Sequence, residues 1–301
     1  MQNDNHRITI LSVSFFSAEH LSRLFENLFV KSLNKRNLQF MVIDNTNGED
    51  ENLINIKSKN YHVNLIKNKS NFRQRSKSHA EGLDIGLKLV QTKYTLIVDP
   101  DIHIFKQNWD SFLLEEIKKS KLVGVPYPPW KIGKVHDFPS VVFMFFETTR
   151  IRSLKKSFSP FPSLFKIIKN GLHRKINRLG LFANKSRLDR YKKLRMVTNY
   201  LESYFGVTSP DTGNEIISVV RESNYISTNF NACYSSDLSQ DSTHSHQMLA
   251  KYFELYLNKN EIFLTHMYGS GVFHWKTKKG NNLEYWLILI SKIEKEKQWI
   301  I

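Results

Sequence analysis

The sequence predicts an α/β fold: a mostly parallel sheet flanked by helices, with a basic helical insertion. Three observations carry this. Short apolar runs rich in β-branched and aromatic residues alternate with amphipathic helical patterns, the rhythm of strands joined by right-handed crossovers. One such run, Tyr94–Val98, is apolar enough to be covered on both faces and ends in Asp99-Pro100-Asp101. The net charge of +16 is concentrated in one stretch, Arg150–Arg195, which holds fifteen Lys/Arg against one acid, Asp189, and leaves the rest near neutral.

In chain order, residues 7–16 (RITILSVSFF) read as a buried first strand. Ser17 is placed to cap the helix that follows, with Glu19 in its first turn and Leu21, Leu24, Phe25 and Leu28 as its apolar stripe. Residues 38–43 (LQFMVI) form a second strand ending in Asp44-Asn45, and Val63–Ile66 is strand-like. A helix over residues 78–90 presents Leu83, Leu87 and Val90, with small Ala80, Gly82 and Gly86 among them. A helix over 108–119 turns Trp109, Phe112, Leu113 and Ile117 inward, and VVFMFFETT (141–149) is a strand central in the sheet. Asp211 can cap a helix whose first turn holds Glu215; His244 and His246 fall in a loop-like polar run, and residues 283–299 form an amphipathic C-terminal helix.

A chain of 301 residues with 41% hydrophobic and 13% aromatic content is sized for a packed globular protein. Its single cysteine, Cys233, excludes an internal disulfide, fits a reducing compartment and reads as a packing residue. No signal peptide is expected from MQNDNHR, and no apolar run approaches the roughly 20 residues of a membrane span, so a cytoplasmic or peripheral protein is expected.

Two carboxylates separated by a stiff proline at the carboxyl end of a buried strand suit a divalent cation, although such acids also serve as turn formers. The run from Asp84 to Asp101, with ITILSVSFFSAEHLSRLFENL and FMVIDNTNGED before it, resembles family 2 glycosyltransferases. It departs from that family at Asp84, where asparagine is usual, and at Phe16-Ser17, where Tyr-Asn is frequent. The resemblance covers roughly the first 110 residues. It implies the GT-A fold, a nucleotide-diphospho-sugar donor and a divalent metal, Mn2+ or Mg2+. It further implies that Ser14, Phe16 and Asp44 hold the nucleoside, with Asp44 alternatively ordering its own turn, and that a late histidine completes the metal shell: His274, with His266 as runner-up. Asp101 is expected on the metal and Asp99 on the ribose or a metal-bound water. Arg75 or Arg73, in the smaller basic cluster Lys67–Lys77, can meet the diphosphate.

An inverting transfer needs a carboxylate base opposite the leaving group. Asp211 is the first candidate, with Glu215 and Glu202 as alternates; the acidic pair that family 2 enzymes use is not matched. Glu147 reads as a chance exposed acid.

Within the insertion, Phe165–Leu179 reads as a cationic amphipathic helix broken by Gly171, suited to an anionic membrane surface or a lipid-linked anionic glycan. Nucleic acid ranks last as a partner, because no stacking platform accompanies the charge. The expected division is a nucleotide-sugar-binding half (1–149), the insertion (150–198), and an acceptor-side half with the C-terminal helix (199–301). The expected activity is transfer of a sugar to a cell-surface glycan or its lipid-linked precursor. The rivals are a catalytically inactive membrane- or polyanion-binding relative and a nucleotidyltransferase.

Overall fold

The computed structural model describes residues 7–56, 61–71, 74–160, 164–239, 242–268, 276–277 and 280–298. The chain runs β1 (Ile8–Ser14), α1 (Ala18–Lys31), β2 (Leu38–Asp44), α2 (Leu53–Ile56), β3 (Val63–Lys67), α3 (Arg75–Leu89), β4 (Tyr94–Val98), β5 (Ile102–Ile104), α4 (Trp109–Lys119), β6 (Leu122–Gly124) and β7 (Phe143–Glu147). Then come α5 (Thr148–Ser153), α6 (Leu164–Asn177), α7 (Lys185–Arg190), α8 (Lys192–Phe205), α9 (Asn214–Glu222), β8 (Ser227–Asn229) and β9 (Asn231–Ala232). The chain continues through α10 (His244–Tyr252), β10 (Glu254–Asn258), β11 (Glu261–His266) and α11 (Asn282–Gln298).

Seven strands form the main sheet in the order β3-β2-β1-β4-β7-β6-β8. The first four are parallel and β7 is antiparallel to both its neighbours, so the expected mostly parallel α/β sheet flanked by helices is the architecture observed. The apolar runs are covered on both faces. Ile10, Val42, Leu96 and Phe145 lie in one buried cluster with α1 and α4, and Leu11, Ile43, Ile97 and Phe146 in another with α3 and α9. The small residues of α3 have a steric reason: a Cβ on Gly86 would lie 2.4 Å from Leu11 Cδ1, so glycine lets the helix settle on β1.

A second sheet, β5-β11-β10-β9, packs with α10 and α11 around Trp286 and Phe253. Three residues separate its first strand from β4, so Asp99-Pro100-Asp101 is the corner where the chain passes from one sheet to the other. The β10–β11 pairing carries one surplus residue. Tyr256 pairs with Leu264 while Leu257 pairs with Ile262, leaving Phe263 as a bulge whose carbonyl accepts from Phe105 N at 2.8 Å.

Several local expectations are corrected. Ser17 stands at the start of α1 without capping it, and Ala18 N donates instead to Asp50 Oδ2 at 3.3 Å. Asp211 does not cap α9, which starts from Gly213 in a left-handed conformation. Gly171 does not break the insertion helix: α6 runs through it with nothing near the position a Cβ would take, and the turn comes at Gly180, φ +74°. His244 and His246 open α10, with Thr243 and His246 forming a capping box, because a threonine ahead of a helical run captures the free N–H groups better than a loop would.

Candidate active site

The site is built at the corner between the sheets. β4 delivers Asp99 and Asp101; Asp101 is buried and Asp99 half-buried. Asp99 N donates to Val142 O at 2.9 Å, and Met267 N donates to Asp101 O at 2.9 Å, so both acids are fixed through their backbones. Strand register brings the third member. His266 pairs with Ile102 on one side and with Glu254 on the other, which places an imidazole beside the acidic corner and a carboxylate behind that imidazole.

One ligand atom from each of Asp99, Asp101 and His266 lies within 4.8 Å of the others. His266 Nε2 is 3.2 Å from Asp101 Oδ1 and 3.9 Å from Asp99 Oδ2. On its far side, Nδ1 is 2.7 Å from Glu254 Oε2. A carboxylate behind the imidazole orients the ring and raises its basicity, as in carboxylate–histidine–metal arrangements. Two carboxylate oxygens and an imidazole nitrogen suit a borderline cation such as manganese, so the donor set fits the metal expected from the sequence. Without a metal the same geometry holds a proton. Burial pulls the His266 imidazole down, but Asp101 and Glu254 outweigh it and hold its pKa up at about 10. Burial alone would raise the Asp99 carboxyl, and it stays raised although His79 and His266 oppose the shift.

His266, the runner-up, thus lies at the acids. His274 lies outside the described residues, so the structure places nothing there.

Glu254 is buried and fully engaged. Its Oε1 pairs with Lys131 Nζ at 2.7 Å, and Tyr256 Oη donates to Oε2 at 2.9 Å. Burial would raise its pKa, yet Lys131 and His266 carry it far below the usual carboxylate range. Lys131 also lies 3.6 Å over the Tyr268 ring.

Lys131 belongs to the loop between β6 and β7, which reaches both Glu254 and Asp211. Tyr127 of this loop bonds the Asp211 carboxylate and feels Asp99 and Glu254; burial, then these acids, drive its pKa well above normal. Lys134 forms an ion pair with Asp211. Asp211 also accepts from Ser76 Oγ at 3.0 Å and Thr212 N at 2.9 Å. Burial opposes ionisation, but Lys134 and these hydrogen bonds keep the Asp211 carboxyl below its ordinary value. The loop is pinned at Gly133, φ +85°, whose carbonyl accepts from Thr208 N and Ser209 N at 3.0 and 2.8 Å. A Cβ there would lie 2.3 Å from Thr208 Oγ1.

The other expected residues divide. Ser14 is buried at the end of β1, its Oγ accepting from Ser17 N at 3.3 Å. Phe16 is exposed with a positive φ of 52° and lies edge-to-face with Phe15 at 5.2 Å. Asp44 orders its own turn: Oδ1 accepts from Thr46 N and Oγ1 at 2.9 and 2.6 Å, and Oδ2 from Gly48 N at 2.7 Å. Arg75 is the exposed first residue of α3, and Arg73 lies outside the described residues. Glu215 pairs across 3.4 Å with exposed Lys156, and Glu147 with Arg150 at 3.0 Å. Glu202 is engaged by Gly133 N and by His136 Nε2, the latter at 3.2 Å. Asp84 accepts from Ser157 Oγ at 2.5 Å and Phe158 N at 2.9 Å, so its charge ties α3 to the segment after α5.

No protein-family model matches the sequence, and no curated protein matches it. Among solved structures the chain is similar to the mannosyltransferase PcManGT from Pyrobaculum calidifontis, solved with GDP-Man and Mn2+. That match has 12% identity over 52% of this chain and 49% of that one, with a TM-score of 0.42. It is also similar to residues 1–349 of S. aureus TarS solved with UDP-GlcNAc, at 16% identity over 51% of this chain and 48% of that one, with a TM-score of 0.39. The chain thus spans about half the length of the solved structures it matches.

Sequence reasoning missed Glu254, Lys131, Lys134, Tyr127 and His79, which lies 3.7 Å from Asp99. Only Glu254 left a signal: an acid inside the apolar run Phe253–Leu257 needs a buried partner. The loop residues carry no local pattern that marks them.

Proposed function

We propose that this chain is a GT-A-type, family 2-like glycosyltransferase. It moves a sugar, a hexose by our reading, from a nucleotide-diphosphate donor to a cell-surface glycan or a lipid-linked precursor, with inversion. The observation that carries the reading is the convergence of Asp99, Asp101 and His266, with Glu254 behind the histidine. A divalent cation held by these three side chains would neutralise the charge that develops on the departing diphosphate.

The chain's own residues account for the remaining tasks. Exposed Phe16, at the carboxyl end of β1, offers an aromatic ring to a nucleobase, with Ser14 and the Asp44 turn beside it. Arg75, at the start of α3, faces the donor phosphates together with the N–H groups of that helix end. Asp211 is the base that takes the acceptor hydroxyl proton. Its lowered pKa keeps it ionised at neutral pH, and Lys134 is the cation that leaves it for the more negative diphosphate as the donor binds. Residues 1–149 then supply the nucleotide side and the two aspartates, 199–301 the acceptor base and the histidine of the cation site, and 150–198 are inserted between them.

The test is a thermal-shift screen of nucleoside diphosphates with and without Mn2+, on the wild type and on Asp101→Ala. A ligand that binds only the folded chain raises its melting point. A metal-dependent shift that Asp101→Ala loses supports the reading. Equal shifts in both proteins, or full transferase activity in excess chelator, overturn it.

A further inference from the structure

Helix α8 has two faces of different fate. Leu194, Thr198 and Glu202, at four-residue steps, point into the protein. Leu194 packs against the cluster of Ile132, Ala183 and Leu188, and Glu202 is held by Gly133 N and His136. Met196, Tyr200 and Tyr204, also at four-residue steps, point the other way and are 71%, 71% and 77% exposed. Val197 is exposed beside them, and at about 100° per residue these four side chains share roughly a third of the helix circumference. A soluble helix normally turns its polar face outward, whereas this one turns Thr198 and Glu202 inward beside Leu194 and exposes Met196, Tyr200 and Tyr204. Helix α6 meets α8 through His173 and Phe205, ring centroids 4.7 Å apart, and exposes Leu172.

Charge decides what covers this surface. Exposed Arg174, Lys175, Arg190, Lys192 and Lys193 surround the stripe, in the stretch holding fifteen Lys/Arg against one acid. A second copy of the chain docked on the same face would bring these cations together and be repelled. An anionic bilayer complements them, and tyrosines and methionine beside lysines are side chains that settle at the boundary between headgroups and acyl chains.

We infer that the outer face of α8, with the adjoining end of α6, docks on an anionic lipid surface. This rests on the transferase reading and deepens it: the acceptor is itself anchored in that surface. The inner face of the same helix grips Gly133 and His136, in the loop whose Lys131 and Lys134 bind Glu254 and Asp211. The bilayer is thereby held about one helix diameter, roughly 10–12 Å, from the loop that carries Lys131 and Lys134. Nothing here requires a spanning segment, and among the described residues no helix is long and apolar enough to cross a membrane.

The experiment is co-sedimentation of the full chain with vesicles of phosphatidylcholine alone or with about a third phosphatidylglycerol, at low and high salt. Binding is expected only to the anionic vesicles, falling about tenfold or more at high salt. The triple variant Met196→Ser/Tyr200→Ser/Tyr204→Ser is expected to weaken binding by about tenfold or more. It should keep its melting temperature and its Mn2+-dependent nucleotide shift, since its substitutions touch neither. Equal binding to neutral vesicles, undiminished binding of the triple variant, or a wild-type dimer that the triple variant converts to monomer would each overturn the inference. Vesicle binding without any nucleotide shift would sink the transferase reading and leave the lipid surface standing.

Discussion

Glu254 and His266 face each other across the β10–β11 pair, Oε2 to Nδ1 at 2.7 Å, both buried. The contact turns His266 Nε2 toward Asp101 and commits the imidazole to one orientation before any ligand arrives. Glu254→Gln keeps the shape and removes the charge behind the ring. It should weaken Mn2+ binding by about 10- to 100-fold while the protein stays folded, measured by isothermal titration calorimetry.

Asp101→Ala removes the carboxylate 3.2 Å from His266 Nε2. Donor hydrolysis and transfer should be lost, with far-ultraviolet circular dichroism unchanged. Activity equal to wild type would show that the corner does no chemistry.

The proton on His266 competes with the metal. Its pKa of about 10 in the metal-free protein lies above the ordinary 6.5, so the folded state holds this proton more tightly than the unfolded chain. The resulting stability is fully present below about pH 6.5 and is lost as pH rises through about 10. Metal-free melting temperature should therefore fall across that window. Mn2+ affinity should rise with pH, by up to about tenfold per unit, and binding near neutrality should release close to one proton, read from calorimetry in buffers of different ionisation enthalpy.

Gly133→Ala places a methyl group 2.3 Å from Thr208 Oγ1 at φ +85°. It should cost about 1–3 kcal/mol in urea denaturation, because both the conformation and the contact are unfavourable. The larger effect should be on catalysis, since the loop carries Lys131 and Lys134.

Asp84→Ala leaves the half-buried Phe158 N and Ser157 hydroxyl without their acceptor. A loss of about 1–3 kcal/mol is expected, with Mn2+ affinity unchanged because the contact lies outside the cation site.

The acidic corner was legible because a buried strand ending in D-P-D is a local pattern, and the alternating strands and helices around it are local too. The histidine was not, because His266 and His274 both sit in a run of alternating and glycine-broken residues, and only pairing across strands brings His266 to the acids. Asp44 reads the same in sequence whether it meets a ligand or its own loop; the N–H groups of Thr46 and Gly48 come from its own turn. The long Val125–Ser140 loop supplies Tyr127, Lys131 and Lys134, whose partners are as far away in sequence as Asp211 and Glu254. A membrane-suited apolar stripe was expected on α6, but the most exposed large apolar side chains among the described residues, Met196, Tyr200 and Tyr204, lie on α8. There the outward set follows the inward set by two positions, and composition alone cannot say which is covered.

Phe263 has an effect far larger than its place in a hairpin suggests. Because it is one residue too many on its strand, everything downstream is shifted by a single step in the alternation of side chains. Draw it into the ladder with the Leu257–Ile262 pairing kept, and Thr265 would stand opposite Glu254 while His266 turned to the other surface of the small sheet. Whether His266 meets Glu254 and the acidic corner is thus decided by a single residue left outside the ladder between a β-turn and a histidine.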